Sequence, residues 1–130
     1  MTKPLSADLT HCYSLLFTGD LEAKKNRYVK AVLCFEECRK IAQEKYKGDS
    51  VFTYCLYRAA RKEAQLLIEL GAKSRAYRVL RKVDSLNICF GEKIDKMFVL
   101  TQLIYLSTQM DPKRTEQFKE RLQVLLKEED

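Results

Sequence analysis

The chain has 130 residues, enough for one ordinary domain, and a chain of this size can bury roughly two-thirds of its unfolded surface. With 46% hydrophobic and 32% charged residues and a net charge of +6, the composition is that of a folded protein rather than a disordered one. Four glycines and two prolines are too few for the many corners of a sandwich or barrel, which excludes an all-β fold. The single histidine excludes the helical H-E-x-x-H zinc motif.

The sequence predicts neither a membrane span nor a secretory signal. No run approaches 18 uninterrupted apolar residues, and the first eight residues contain no apolar stretch of the kind that signal peptides carry. Five cysteines, an odd number, then indicate reduced thiols. We expect a cytoplasmic protein, with the nucleus as the alternative compartment, and no association with a membrane.

The apolar residues recur with helical spacing along almost the whole chain. Ser6 is a candidate cap for a first helix with one apolar stripe, which Gly19-Asp20 is expected to end. A second helix is predicted over about 27–46. The stripe of the first helix consists of Leu9, Cys12, Tyr13, Leu16 and Phe17.

The third predicted helix, over about 51–70, is the most apolar, which is typical of a helix in the middle of a packed array. Gly71 ends it, and a fourth helix follows within a few residues and runs to about residue 86. Such a short connection makes the third and fourth helices antiparallel neighbours.

A fifth helix is predicted over about 92–110, and Asp111-Pro112 is a cap followed by proline at the first position of a sixth helix. The apolar face of that last helix is expected to hold Phe118, Leu122, Leu125 and Leu126. We therefore predict an all-α protein of about six helices in one domain, 1–130. Three antiparallel helical hairpins are expected, over roughly 6–46, 50–86 and 92–128.

Two of the hairpins share a pattern. The second helix carries Tyr28-x-x-Ala31-x-x-x-Phe35-x-x-Cys38, and the fourth carries Ala76-x-x-x-Leu80-x-x-Val83. Small residues between large ones allow two helices to cross closely. On these motifs the chain resembles the tetratricopeptide repeat (TPR) family, which implies a right-handed array of hairpins. The resemblance also implies that the first helix of each hairpin lines a groove that binds an extended or helical peptide.

Most of the excess positive charge lies in the middle of the chain: residues 50–83 hold eight basic and two acidic side chains. The ordinary interpretation is a solvated face. The TPR resemblance implies instead that Arg58, Arg61 and Gln65 face the groove, with Arg75 and Arg78 at its rim. Arginine suits this role because its planar guanidinium pairs bidentately with a carboxylate.

These features predict a non-enzymatic protein–protein interaction module, either a scaffold or adaptor subunit or a small cytosolic chaperone. The expected ligand is an acidic peptide or a helix of a partner protein. Because three hairpins are near the minimum for a stable array, dimerisation or an obligate complex is favoured.

The alternative is a basic helical nucleic-acid-binding protein that uses the arginine stripes of the third and fourth helices. Tyr57 and Tyr77 lie nearest to these stripes and are the candidates for stacking on bases.

The sequence gives little support to catalysis or metal binding. No Gly-rich phosphate loop or nucleophile-elbow motif occurs, so we expect no enzymatic activity, no catalytic residue and no cofactor. Cys34 and Cys38 lie on adjoining helical turns, and His11-Cys12 is the one nearby source of further ligands. Because cysteine is so often buried, we interpret these residues as part of the core rather than as a metal site.

Overall fold

A computed structural model of the chain describes residues 6–48, 50–86 and 93–128, and in these ranges it contains helices and no strand. The α-helices are α1 (Ala7–Lys24), α2 (Tyr28–Lys45), α3 (Ser50–Glu69), α4 (Lys73–Ser85), α5 (Lys93–Met110) and α6 (Pro112–Lys127), with a short 3₁₀ turn at Tyr46–Gly48. The predicted all-α class is confirmed.

Consecutive helices pack against one another throughout the chain, and α3 also contacts both α1 and α5. The α1–α3 contacts join Tyr13 to Tyr54 and Asp20 to Lys62, so these two helices run in the same direction. The helical-hairpin arrangement predicted from the sequence agrees with these contacts. As a result α1, α3 and α5 lie side by side.

The core runs through all six helices and is centred on α3, which buries more of its side chains than any other described helix. Small residues occupy the helix contacts, and Ala31, Ala59, Ala60 and Ala76 have no exposed surface. Their size lets neighbouring helices approach closely. The prediction that the third helix lies in the middle of the array is thereby confirmed.

The predicted end of the first helix at Gly19-Asp20 is wrong, because α1 continues to Lys24. Gly19 is buried where α1 crosses α2, and a Cβ atom there would lie 2.5 Å from Cε1 of Phe35. The glycine therefore serves close helix packing rather than chain reversal. The reversal comes later, at Asn26, whose φ of 61° is in the left-handed region.

Gly71, by contrast, ends α3 as predicted. Its φ is 81°, and the Ala72 N–H donates to the carbonyl of Leu67 over 2.7 Å, as in a Schellman C-cap. Ser6 also acts as predicted, because its Oγ accepts a hydrogen bond from the N–H of Leu9 at 3.1 Å.

The last helix differs from its prediction in two respects. Asp111 makes no cap hydrogen bond with its side chain; it accepts one from the Tyr77 hydroxyl at 3.1 Å and pairs with Arg114. Of the predicted apolar face, Phe118 is buried and Leu126 is 53% exposed. A helix at the end of an array has neighbours on one side only, which leaves part of its apolar surface uncovered.

A buried ion pair, which the sequence analysis did not predict, connects α2 to α3. Nε of Arg39 donates to Oε1 of Glu63 at 2.6 Å, and Nη2 donates to Oε2 at 3.4 Å. The Glu63 side chain has no exposed surface, and that of Arg39 is almost fully buried. Because both charges need this partner, the pair favours one register between the two helices.

Candidate partner-binding face on α1, α3 and α5

Arg58, Arg61 and Gln65 lie on one polar strip of α3. The rest of the helix circumference is committed to the core by Cys55, Leu56, Ala59 and neighbouring apolar residues. Arg58 and Gln65 are exposed and Arg61 is half-buried. The structure thus brings together the three α3 residues singled out in the sequence.

Arg58 lies against an exposed aromatic ring. Its Nε donates to the hydroxyl of Tyr54 at 3.1 Å, and its guanidinium lies 5.3 Å from the centre of the Tyr54 ring. Tyr54 is 45% exposed and also contacts Tyr13 of α1, with ring centres 6.5 Å apart. A cation over an aromatic face is attracted by the ring quadrupole, so this contact orients the guanidinium.

Arg61 makes the corresponding contact on the other side of α3. Its guanidinium lies 4.0 Å from the centre of the Phe98 ring, which belongs to α5. The two arginines therefore point to opposite neighbours, Arg58 to the residue that contacts α1 and Arg61 to α5. Together they place positive charge along the middle of the three parallel helices.

Gln65 lies beside an open hollow of about 580 Å³ between α3 and α5. Its lining is mixed, with amides, a hydroxyl and a carboxylate beside one aromatic ring and one aliphatic side chain. Its other lining residues are Ile68, Glu69, Thr101, Gln102 and Tyr105. Lys73 reaches the same ring from α4, with its ammonium 5.6 Å from the centre of Tyr105.

The exposed side of α1 carries apolar side chains. Tyr13, Phe17 and Leu21 recur every four residues, and Phe17 is 66% exposed. Placing Tyr13 and Phe17 in the core stripe of the first helix was therefore wrong, because the core takes only the side of α1 that faces α2 and α3. We call the combined surface the α1–α3–α5 face: Tyr13, Phe17, Leu21, Tyr54, Arg58, Arg61, Gln65, Phe98 and Tyr105.

The charges of Arg58 and Arg61 are not neutralised within the parts of the chain that the structure describes. No carboxylate lies within ion-pair distance of either, whereas Arg39, Arg75 and Arg121 each pair with a carboxylate at 2.6 Å. Since aromatic rings carry no net charge, both guanidiniums keep their capacity for an external anion.

Arg75 and Arg78, predicted at the rim, belong to α4. Nη2 of Arg75 donates to Oε2 of Glu36 at 2.6 Å, which turns this side chain towards α2. Arg78 is exposed on the side of α4 opposite to the buried Ala76, Leu80 and Val83. Within the described ranges neither arginine makes a hydrogen bond, an ion pair or a ring contact with a residue of the α1–α3–α5 face.

The aromatic members of this face on α3 and α5, Tyr54, Phe98 and Tyr105, were not predicted from the sequence. Tyr54 precedes Arg58 by four residues, which is helical contact spacing, so this pair was readable in the sequence. The contact between Arg61 and Phe98 joins residues far apart in the chain, and no local pattern indicates it.

A second hollow, of about 470 Å³, lies between α3, α4, α5 and α6. Its floor is formed by Tyr57, Val99 and Leu100, and Arg121 spans its edge with two hydrogen bonds to Asp84, at 2.6 and 2.8 Å. Burial, followed by the charges of Asp84 and Asp95, raises the pKa of Tyr57 to about 12, so this phenol stays neutral. The walls of this second hollow carry charges of both signs, so the hollow favours neither an anionic nor a cationic ligand.

The prediction that the cysteines belong to the core is confirmed for Cys12 and Cys38, and Cys55 is also in the core, whereas Cys34 is only half-buried on α2. Cys12, Cys38 and Cys55 come from α1, α2 and α3 and have no exposed surface. Burial raises the pKa of Cys12 to about 11, and a thiol hydrogen bond with Cys55 together with burial raises the pKa of Cys38 further. The thiols of Cys12 and Cys38 are therefore protonated and unreactive at neutral pH. Cys89 lies outside the described residues.

The remaining candidates have structural contacts. His11 is exposed, with Nε2 3.3 Å from Oε1 of Glu37. Over residues 6–48, 50–86 and 93–128, no group of three or more His, Cys, Asp and Glu side chains has an arrangement suited to a metal ion. Tyr57 and Tyr77 are buried, so the prediction that they are available for base stacking is wrong.

Comparison of the chain with protein families, with curated proteins and with solved structures found no match. None of the described helices is both long and apolar enough to cross a bilayer.

Proposed function

We propose that the protein is a non-enzymatic interaction module whose α1–α3–α5 face binds an acidic, partly apolar peptide or a helix of a partner protein. The observation that carries the proposal is the state of Arg58 and Arg61. Both guanidiniums lie on aromatic rings that also lie on this face, and neither has a carboxylate partner in the described ranges. A cation held in place but not neutralised is suited to an incoming anion.

The contacts with aromatic rings lower the entropic cost of fixing the two arginine side chains on a ligand. A free arginine side chain loses rotamer freedom when it is fixed on a ligand, and this loss reduces affinity. Arg58 is already held by its hydrogen bond to Tyr54, and Arg61 by the ring of Phe98. Each retains guanidinium N–H groups for a bidentate contact with a carboxylate.

The apolar part of the face supplies the second component of affinity. Tyr13, Phe17 and Leu21 form an exposed strip on α1, and Tyr13 contacts Tyr54, the ring against which Arg58 lies. Aromatic anchors commonly dominate binding energy, whereas charged groups fix orientation and partner choice. A ligand with leucine or phenylalanine on one edge and carboxylates on the other would match both parts.

The cellular role that fits this surface is that of an adaptor or scaffold subunit, or of a small chaperone that holds exposed helices of other proteins. We propose a cytoplasmic setting, in line with the reduced cysteines. The resemblance to TPR proteins supports the same role, because in that family the corresponding helices line a peptide groove.

The test is a selection of displayed random peptides on the wild-type protein, followed by affinity measurement of the selected peptides. The test variant is Arg58→Glu/Arg61→Glu. The matched control is Arg78→Glu/Lys82→Glu on α4, which changes the net charge by the same amount on side chains that are both exposed. Circular dichroism and melting curves check that each variant is folded.

We expect the selected peptides to be rich in Asp or Glu together with Leu or Phe, and to lose at least tenfold in affinity for the Arg58→Glu/Arg61→Glu variant only. Equal losses of peptide affinity in both variants would show that net charge alone causes the effect, which would contradict the proposal. If the glutamate variant does not fold, Arg58→Gln and Phe17→Ser, measured singly, replace it.

A further inference from the structure

The exposed side of α4 is a second basic surface, separate from the face proposed above. Arg75, Arg78 and Lys82 recur at helical spacing, and Arg81 lies half-buried at their edge; we call these four residues the α4 strip. The three exposed cations span about 10 Å along the helix axis. Two of them, Arg75 and Arg78, were predicted to contact a peptide at the rim of the groove.

The strip keeps most of its charge. In the parts of the chain that the structure describes, no carboxylate lies within ion-pair distance of Arg78, Arg81 or Lys82. Arg75 pairs with Glu36, but that carboxylate also accepts from Lys40 at 2.9 Å and so serves two cations. The one acidic residue of α4, Asp84, is held by two hydrogen bonds from Arg121. The surface around the strip therefore remains positive.

The strip offers charge without apolar contact, unlike the α1–α3–α5 face. The large hydrophobic residues of α4, namely Tyr77, Val79, Leu80 and Val83, are all buried. A helix that binds a membrane surface inserts apolar side chains, and a peptide-binding surface needs aromatic or aliphatic anchors. A partner that presents closely spaced anions needs neither of these.

We propose that the α4 strip binds the phosphate backbone of double-stranded nucleic acid, without preference for sequence. One strand of a duplex carries a phosphate about every 3.4 Å along its axis, so a 10 Å strip faces about three of them. Guanidinium groups pair bidentately with phosphate oxygens. Tyr77, the one ring within α4, is buried, as is Tyr57 of α3, so α4 itself presents no exposed ring for stacking on unpaired bases, which favours a duplex over a single strand.

The experiment measures fluorescence anisotropy of two labelled DNA duplexes of unrelated sequence, titrated with the full chain between about 50 and 200 mM salt. We expect equal affinity for the two duplexes and a log–log salt slope of roughly −3, about 0.9 per neutralised phosphate. Arg78→Glu/Lys82→Glu should lower the affinity at least tenfold and make the slope shallower.

The matched control is Arg58→Glu/Arg61→Glu, with the same change of net charge. It should retain affinity within about threefold of wild type, since its residues lie off the strip. Equal losses in the two variants, a flat salt response, or binding of phosphatidylserine vesicles without binding of either duplex would overturn the proposal. Arg78→Gln/Lys82→Gln provides the same comparison if the glutamate variant fails to fold. The outcome is independent of peptide selection on the α1–α3–α5 face.

Discussion

At the scale of single residues, the pair of Arg39 and Glu63 is the most consequential polar contact in the core. Removal of a charged group from water costs several kcal/mol, which only a well-placed partner offsets. Glu63 accepts two hydrogen bonds from Arg39, and Gln43 accepts a third from the same guanidinium. Loss of either side chain would therefore leave the charge of the other buried without a partner.

Replacement of Glu63 by leucine should destabilise the protein by about 3 to 5 kcal/mol, because the buried guanidinium of Arg39 then has no counter-charge. Adding Arg39→Met should recover most of that loss, since two apolar side chains of similar volume replace the pair. Urea unfolding of wild type and the two variants measures both effects. A double variant as unstable as Glu63→Leu would show that the ion pair itself, and not its solvation, holds α2 on α3.

The same carboxyl should make stability depend on pH. Burial raises the pKa of Glu63 above its ordinary value, and the nearby Arg39 opposes that shift without cancelling it. The folded state then binds the proton more tightly than the unfolded chain does. The stability that Glu63 contributes is present below about pH 4.3 and is lost as pH rises through its folded pKa.

Glu63→Gln should therefore gain stability relative to wild type as pH rises from about 4 to 7, because the amide stays neutral and still accepts from Arg39. Urea midpoints across this range measure the difference, in which all other carboxyl groups cancel. If the stability of the Gln variant falls relative to wild type as the pH rises, Arg39 lowers the pKa of Glu63 instead.

Gly19 allows a second test at this scale. Alanine is normally better than glycine inside a helix by about 1 kcal/mol. Here its Cβ would lie 2.5 Å from the ring of Phe35, which is itself buried in the core, so one of the two groups has to shift. Gly19→Ala should therefore lower the melting temperature, with a net cost of about 1 kcal/mol or more.

The control for that prediction is the background Phe35→Leu, in which the ring is absent. In that background Gly19→Ala should be neutral or stabilising, since only helix propensity remains. If alanine lowers the melting temperature equally in both backgrounds, the contact with Phe35 is not the cause.

At the scale of helices, α3 is positioned by different chemistry on each side. The pair of Arg39 and Glu63 joins it to α2, and Lys62 pairs with Asp20 of α1. On the α5 side the polar contact is that of Arg61 with Phe98 at 4.0 Å. Because this contact is half-buried, the interaction between cation and ring is stronger there than at an exposed site.

A double-mutant cycle with Arg61→Gln and Phe98→Leu should give a coupling energy of about 1 to 2 kcal/mol, above the value of an exposed cation–ring pair. The cycle of Arg58→Gln with Phe98→Leu is the control and should give none, since the partner of Arg58 is Tyr54. Thermal or urea unfolding supplies the four stabilities of each cycle. Coupling of the same size in both cycles would indicate a general charge effect and not a ring contact.

At the scale of the whole molecule, three thiols from three helices report on the integrity of the core. Cys12, Cys38 and Cys55 are fully buried, and the pKa of each of Cys12 and Cys38 is raised. A thiol reagent reacts with the ionised thiolate and must reach the sulfur atom. For these buried thiols, both ionisation and access require unfolding. Cys34, which is half-buried on α2, differs from them in access.

In a Cys89→Ser background, we therefore expect a disulfide exchange reagent to modify Cys34 first, and Cys12, Cys38 and Cys55 only at the rate of global unfolding. Mass spectrometry of digested samples assigns the labelled sites. Modification of the three core thiols at the rate of Cys34 would show that the α1–α2–α3 core opens locally.

Features set by interactions between residues close in sequence were predictable, whereas features set by contacts between distant residues were not. Helical spacing of apolar residues, the capping hydroxyl of Ser6 and the glycine at position 71 act over one or two turns, so the element order and most boundaries were predictable. Gly19 misled because its role is set by Phe35, sixteen positions further along the chain and on another helix.

The same division applies to the candidate site. The arginines of α3 stood out because they are the few polar positions of an apolar helix, which is a property of local sequence. Their ring partners, the exposure of Phe17, and the burial of Tyr57, Tyr77 and Glu63 depend on which side of each helix its neighbours cover. The sequence by itself determined the helices of the described residues, their order and the basic strips of α3 and α4. Only tertiary structure decided which charges are neutralised and which rings stay exposed, because an ion pair or a covered ring needs a second helix at a given angle and distance.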